Sequence, residues 1–177
     1  MTMARRTALA ISVPWAAARG LLALVCWFAV AVNLSAADEG AYEKVGFDRL
    51  ANYRFVPPSP DVGEDDARSQ GEQQIPEEIR ALNGKKTLVT GYMLPVRLES
   101  GKVTEFLLVK DPSMCCFGTV PAMNEWVVVK MKTGGVAPLM DVPISFYGVL
   151  KVGPTFENGY MTGIYELVGE RVGEVGT

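Results

Sequence analysis

Two adjacent cysteines, Cys115 and Cys116, carry the side chains of this sequence most suited to chemistry. The Cα atoms of neighbouring residues lie about 3.8 Å apart across a trans peptide and about 2.9 Å across a cis one. Disulfides prefer about 4.4–6.8 Å, so a bond between this pair would close a strained, easily reduced ring. Four states remain open: a strained disulfide, a clamp for a thiophilic metal, two buried free thiols, or a bridge to another chain.

The composition limits the metal chemistry. The chain has no histidine, which removes Ser-His-Asp and Cys-His catalysis and every zinc site that needs imidazole. A structural zinc site needs four nitrogen or sulfur ligands, and the cysteine pair supplies only two. Copper(I) is easier to satisfy because thiolates and thioethers select it, and Met114 and Met123 lie in the same segment. The alternative is a pair of inert thiols with both methionines filling gaps in a core.

Alternating apolar and polar residues predict five β-strands around this segment. Turn residues separate the strands and few helices intervene, so we expect a mainly β chain with one or two short N-terminal helices. Residues 75–170 fit a five-stranded, OB-like antiparallel barrel, with a small β-sandwich as the competing fold. The predicted strands are residues 86–98, 103–110, 126–132, 142–152 and 160–168.

The residues before the barrel have a different character. Apolar side chains at helical spacing predict a short amphipathic helix over residues 42–55. Residues 59–74 are rich in proline, glycine and acidic side chains, which predicts a mobile linker. A proline followed by two glutamates predicts that a second short helix begins at residue 76. The domain boundaries expected are a helix and acidic linker over 38–74, and a C-terminal tail over 171–177.

Residues 1–37 have the features of a secretory signal peptide. They contain three arginines and no acidic residue, followed by an apolar run and the small residues Ser35 and Ala37. We expect cleavage after Ala37, a periplasmic or other extracytoplasmic location, and no membrane insertion afterwards. An uncleaved N-terminal membrane anchor is the alternative, although a span needs about 20 apolar residues. Cys26 lacks a small residue just before it, so lipid attachment there is not expected.

The charge of the mature chain argues against nucleic acid as a partner. Removing the three arginines leaves 14 Lys and Arg against 20 Asp and Glu, a formal net charge of −6. Phosphate backbones are bound by clustered basic residues, which an acidic domain of this kind does not provide.

Five sequence runs carry a resemblance that covers roughly residues 42–168. They are Ile75-Pro76-x-x-Ile79-x-x-Leu82-x-Gly84-Lys85, Gly91-Tyr92-Met93-Leu94-Pro95, Phe106-Leu107-Leu108-Val109, Cys115-Cys116-Phe117-Gly118-x-x-Pro121-x-x-Asn124-x-Trp126-Val127-x-Val129 and Gly148-x-Leu150-x-Val152. Together they resemble the family known as domain of unknown function 3299, small exported bacterial proteins. The resemblance implies a periplasmic or lipid-anchored protein, with links in some members to exporter-like transport systems and zinc-responsive genes. It also implies a site at Cys115 and Cys116, shaped by Phe117, Gly118, Pro121 and Asn124.

These observations predict a non-catalytic, exported binding module. Its ligand-binding residues would be those of the cysteine segment, with Cys115 and Cys116 holding a soft metal such as copper or zinc, or docking a membrane transporter-associated protein. One alternative is a thiol redox switch, although oxidoreductases use Cys-x-x-Cys spacing, which is absent here. Another is a structural adaptor whose cysteines are silent.

Overall fold

The computed structural model describes residues 41–112 and 121–175, so the predicted signal peptide lies outside the described residues. The described chain is mainly β, as predicted. Its strands are β1 (Glu43–Val45), β2 (Lys85–Glu99), β3 (Lys102–Val109), β4 (Trp126–Met131), β5 (Pro143–Glu157) and β6 (Tyr160–Val175). Its helices are α1 (Phe47–Leu50), α2 (Glu64–Gln74), α3 (Glu77–Arg80) and the 3-10 helix Met123–Glu125.

The strands form one six-stranded mixed sheet in the order β1-β2-β3-β4-β6-β5. Because β5 also pairs with β2, the hydrogen bonds of β2 to β6 return to their starting strand and form a closed ring. The length of β2 makes this closure possible. Its first half, from Lys85 to Tyr92, pairs with β5, and its second half, from Tyr92 to Glu99, pairs with β3.

The expectation of a purely antiparallel, five-stranded sheet is wrong. A sixth strand, β1, pairs with β2 in parallel, and β4 and β6 are also parallel neighbours. The second parallel pair follows from the connectivity: β5 and β6 form an antiparallel hairpin, and this hairpin brings β6 back beside β4 in the same direction.

The prediction of one helix over residues 42–55 is also wrong in extent. Strand β1 and the single turn α1 occupy the first part of this segment, and Val45 aligns with Val89 in the sheet. The spacing of apolar residues correctly predicted which side chains are buried, since Phe47, Leu50 and Phe55 all belong to the hydrophobic core. The spacing therefore identified the buried side chains but not the secondary structure of the segment.

Residues 64–74 form helix α2 where a mobile linker was predicted. Acidic residues in the first turn suit the helix N-terminus, and Arg68 pairs with Glu64 one turn away at 2.9 Å. The buried face consists of Ala67 and Gly71, and a Cβ at Gly71 would lie 2.7 Å from Pro154. The helix thus packs through small residues instead of large apolar ones.

The C-terminal tail predicted over residues 171–177 is also partly strand, because β6 continues through Val175.

The ring and the N-terminal elements share one hydrophobic core. Phe106 and Phe146 meet inside it, with ring centroids 4.7 Å apart. Phe47 of α1 packs against the inner side of β2, where an added Cβ at Gly91 would lie 2.9 Å from its ring. Large side chains that are fully buried in this core include Phe106, Ile144, Phe146, Leu150, Ile164 and Tyr165.

A chain of ion pairs crosses the outer surface of the ring, with one residue from each of its five strands. Signs alternate along it, and neighbouring charged atoms lie 2.6 to 3.9 Å apart. The two carboxylates are largely shielded, with about one eighth of each side chain exposed. We call this feature the ion-pair belt; in spatial order its residues are Arg97, Glu105, Lys130, Glu166 and Lys151.

The ion-pair belt predicts a pH-dependent contribution to stability. Burial alone would raise the pKa of Glu166, but hydrogen bonds from Lys151 and Lys130 hold this pKa below its ordinary value of 4.5. A lowered carboxyl pKa stabilises the folded state above the ordinary value, and the contribution is lost as the pH falls through the folded pKa. We expect Glu166→Gln to reduce the free energy of unfolding by about 1 kcal/mol at neutral pH.

Urea denaturation at neutral pH and at acidic pH would measure this effect. The difference between Glu166→Gln and the unchanged protein should shrink as the pH falls below 4.5. Glu64→Gln is the control, because its ion pair with Arg68 is about half exposed and should contribute less than about 0.5 kcal/mol. A difference for Glu166→Gln that grows on acidification would contradict the prediction.

Candidate functional site

The predicted site lies on the connection between β3 and β4. Five of its residues fall in the segment 113–120, outside the described residues: Met114, Cys115, Cys116, Phe117 and Gly118. The other two, Pro121 and Asn124, stand where the described chain resumes, just before and within the 3-10 helix.

Both ends of this connection are fixed to the ring. At the base, Val109 aligns with Trp126, and the Lys110 amide donates a hydrogen bond to the Glu125 carbonyl at 3.1 Å. On the returning side, the Glu125 carboxylate accepts a hydrogen bond from the Ala122 amide at 3.1 Å. The connection therefore leaves and rejoins adjacent strands at one defined place.

Asn124 ties the returning end to the N-terminal segment. Its side chain is 2% exposed, and its Nδ2 donates a hydrogen bond to the Tyr53 carbonyl at 2.6 Å. Its Oδ1 is buried and has no hydrogen-bond partner within the described part of the chain. Asn124 thus holds the base of the predicted site in place, a role that its position in the sequence did not reveal.

A pair of tyrosines continues this tie into the core. The fully buried Tyr165 donates its hydroxyl hydrogen to the Leu50 carbonyl at 2.9 Å, and the Tyr53 hydroxyl lies 2.9 Å from that of Tyr165. Because Tyr165 has one hydroxyl hydrogen, Tyr53 must donate to it. Burial raises the pKa of both phenols, so both remain protonated. The alternation of β6 predicted Tyr165 as a strand residue, and it gave no signal of this network.

A cleft of about 150 Å³ adjoins the returning end of the connection. Met123, the first residue of the 3-10 helix, and Met161 of β6 both line it, which places two thioether side chains in one cleft. The rest of the wall is mixed: half of its residues are prolines and aromatics, such as Pro58 and Phe156, and the other half includes Ser59 and Glu64. Met123 was predicted as a sulfur donor, whereas Met161 was not, because it is distant in sequence and shares no motif with the cysteines.

Two further findings concern metal ligands and membrane spans in the described residues. Within residues 41–112 and 121–175, no three His, Cys, Asp or Glu side chains come close enough to hold a metal ion. None of the helices in those residues is long and apolar enough to cross a membrane.

Comparison with known proteins identifies relatives of the chain. The family model described as "Protein of unknown function (DUF3299)" matches residues 56–174. A crystal structure of a DUF3299 family protein from Pseudomonas aeruginosa PAO1 is similar at 25% sequence identity and a TM-score of 0.51; the match covers 75% of this chain and 95% of that one. No curated protein matches the sequence. Because the family model covers more than half of its length, this chain belongs to the DUF3299 family.

Proposed function

We propose that this protein is a non-catalytic binding module that holds a soft metal ion, copper(I), at the connection between β3 and β4. The observation that carries the proposal is the pair of thioethers, Met123 and Met161, in one cleft beside this connection. Thioethers are weak ligands that favour copper(I), and they gain importance when thiolates stand near them.

The cysteines would supply the thiolates. Cys115 is three residues beyond Pro112, so the extended chain keeps it within about 11 Å of that fixed residue. Met123 follows Cys116 by seven residues, and a loop of that length closes at little entropic cost. Met114, Phe117 and Gly118 would complete the walls of the site, with Pro121 and Asn124 at its base. Zinc is the weaker candidate because it needs four strong nitrogen or sulfur ligands.

We also propose that the ring is a barrel of the OB type. The first strand of the ring, β2, is long and pairs with two different neighbours, β3 and β5. This arrangement supports the OB type, in which a long first strand takes part in closing the barrel. The basic and apolar N-terminal segment supports export to the periplasm, with an uncleaved anchor as the alternative. A membrane transporter-associated protein is the proposed partner, on the basis of the family resemblance alone.

Metal binding by the purified full-length protein tests the proposal. With copper(I) supplied alone under reducing conditions, we expect about one ion per chain after dialysis. Cys115→Ser with Cys116→Ser should abolish this retention. Met123→Leu with Met161→Leu should weaken it about tenfold. Met140→Leu is the matched control, since Met140 is 58% exposed and does not line the cleft, and it should change nothing.

Counting thiols in native and denatured protein separates the alternatives. Metal-free protein in which the thiols of Cys115 and Cys116, counted apart from Cys26, react only after denaturation would overturn the proposal and favour a structural adaptor. Metal-free protein that undergoes a reversible two-electron reduction would overturn it and favour a redox switch. Retention of zinc but not copper(I) would contradict the choice of metal.

A further inference from the structure

The chain contains two Asn-Gly pairs, and the structure places them in different surroundings. Asn158 and Gly159 form the two-residue connection between β5 and β6. Their φ angles are both positive, 52° and 82°, as in a type I′ turn, for which Asn-Gly is a preferred sequence. The other pair, Asn83 and Gly84, lies between helix α3 and strand β2.

An Asn-Gly pair is prone to a reaction of its own. The glycine nitrogen gives up its proton to solvent and attacks the side-chain Cγ of the asparagine. A new C–N bond forms, the side-chain amide leaves as ammonia, and a cyclic imide remains. Water then opens the ring at either carbonyl and leaves aspartate or isoaspartate, with no oxidant or reductant involved. Glycine favours the attack because it has no Cβ to obstruct the approach.

Hydrogen bonds hold both reacting groups of the pair at Asn83. The Gly84 nitrogen donates to the Leu150 carbonyl at 2.7 Å. The Asn83 Oδ1 accepts a hydrogen bond from the Val152 amide at 3.0 Å. Both bonds tie the pair to β5, so the attack requires that both be broken, and each contributes to stability.

Neither reacting group of the pair at Asn158 is held in this way. In residues 41–112 and 121–175, no hydrogen bond engages the Gly159 nitrogen or the Asn158 side chain. Both residues are exposed, and an added Cβ at Gly159 would meet nothing within 4 Å. The tip of a hairpin opens locally at low free-energy cost. The Asn158 side chain therefore reaches the Gly159 nitrogen without the loss of a tertiary contact.

We propose that Asn158 is a site of spontaneous deamidation, with isoaspartate among its products, and that the fold protects Asn83. Isoaspartate would add one carbon to the backbone of the turn and place a new carboxylate next to Glu157. Gly159 and Tyr160 line the cleft beside the cysteine connection, so the modification would alter the rim of that cleft. The reaction depends on the turn alone and not on the proposed metal.

Mass analysis of tryptic peptides from the full-length protein tests the proposal, after incubation of the native protein at mildly alkaline pH. Trypsin cleaves after Lys and Arg, so Asn158 is recovered in the peptide 152–171 and Asn83 in the peptide 81–85. We expect the first peptide to gain the mass of deamidation at least about tenfold faster than the second. In urea-denatured protein, where the hydrogen bonds at Asn83 are lost, the two rates should agree within about threefold.

Asn158→Gly is the matched control, because it removes the reacting side chain and keeps a residue that accepts a positive φ. Its peptide 152–171 should show no conversion, and the peptide 81–85 should behave as before. A protease that cleaves before aspartate but not before isoaspartate distinguishes the two products.

Three results would overturn the proposal. The first is an equal rate for the two peptides of the native protein. The second is conversion of the peptide 152–171 in the denatured protein only, which would show that the turn protects Asn158. The third is a product that the protease cleaves completely, which would exclude isoaspartate. None of these measurements involves copper(I), so the two proposals stand or fall separately.

Discussion

Replacing Gly148 by alanine is expected to lower the free energy of unfolding by about 3 kcal/mol. Gly148 is buried where β5 passes between β2 and β6, aligned with Thr87 on one side and Gly169 on the other. A methyl group there would press against the Val168 carbonyl oxygen and lie 3.0 Å from the Leu167 Cγ. Because that carbonyl belongs to the backbone of a paired strand, it cannot rotate away, and relief requires the ring itself to widen.

Urea denaturation of Gly148→Ala beside Gly63→Ala would measure this cost. Gly63 is exposed, its φ of −61° suits alanine, and an added Cβ would meet nothing within 4 Å. The control should therefore change the free energy of unfolding by less than about 1 kcal/mol. An equal effect of the two substitutions would mean that closure of the ring does not require a residue without a side chain at position 148.

Tyr165→Phe is expected to reduce the free energy of unfolding by about 2 kcal/mol. The change removes one hydroxyl that serves two neighbours, the Leu50 carbonyl and the Tyr53 hydroxyl. Leu50 is fully buried, so its carbonyl would lose a hydrogen bond without access to water. Since the Tyr53 carbonyl receives the hydrogen bond of Asn124, the change should also loosen the base of the cysteine connection.

Tyr53→Phe provides the comparison. It removes only the hydrogen bond donated to Tyr165, from a side chain that is partly exposed, and should cost less than about 1 kcal/mol. Urea denaturation gives both values, and hydrogen exchange at the backbone amide of Glu125, which donates to the Ala122 carbonyl, reports the loosening. If Tyr165→Phe costs no more than Tyr53→Phe, the buried carbonyl of Leu50 is not held by this hydroxyl.

The strands were predictable because their side chains face either a core or solvent. Each of the five predicted strands overlaps one of β2 to β6, and the longest error is at β6, where Gly169 and Gly173 interrupt the alternation. The order and direction of the strands in the sheet were harder to predict from the sequence. Period-two patterns specify which residues are buried, but they carry no information on whether a neighbour runs parallel or antiparallel.

Helix α2 and strand β1 were missed for different physical reasons. The buried side of α2 is made of Ala67 and Gly71, which bury little apolar area, so the segment has the composition of a linker. Strand β1 is three residues long, too short to display an alternation. Both elements are held mainly by what they pack against, and this tertiary information is absent from a local pattern.

The residues proposed for the site differ in how far the sequence alone could indicate them, and Cys115 and Cys116 stay a prediction because they lie outside the described residues. The cysteine pair and Met123 are identified by residue type alone. Met161, Tyr53 and Tyr165 join the surroundings through contacts between distant parts of the chain. The same applies to the bulge at Thr104, which arises from a register mismatch between β2 and β3.

The ion-pair belt has a consequence for how the strands find their alignment. The inward residues of β3 and β4 are valines, leucine and phenylalanine, and a slide by two positions would replace one apolar contact by another of similar size. The belt opposes such a slide: moving β4 by two residues along β3 would put Val128 opposite Glu105 in place of Lys130, and Glu105 would lose one of the two cations that it pairs with. Each strand of the ring contributes one charge to the belt, so the ion pairs favour the observed alignment over this slide.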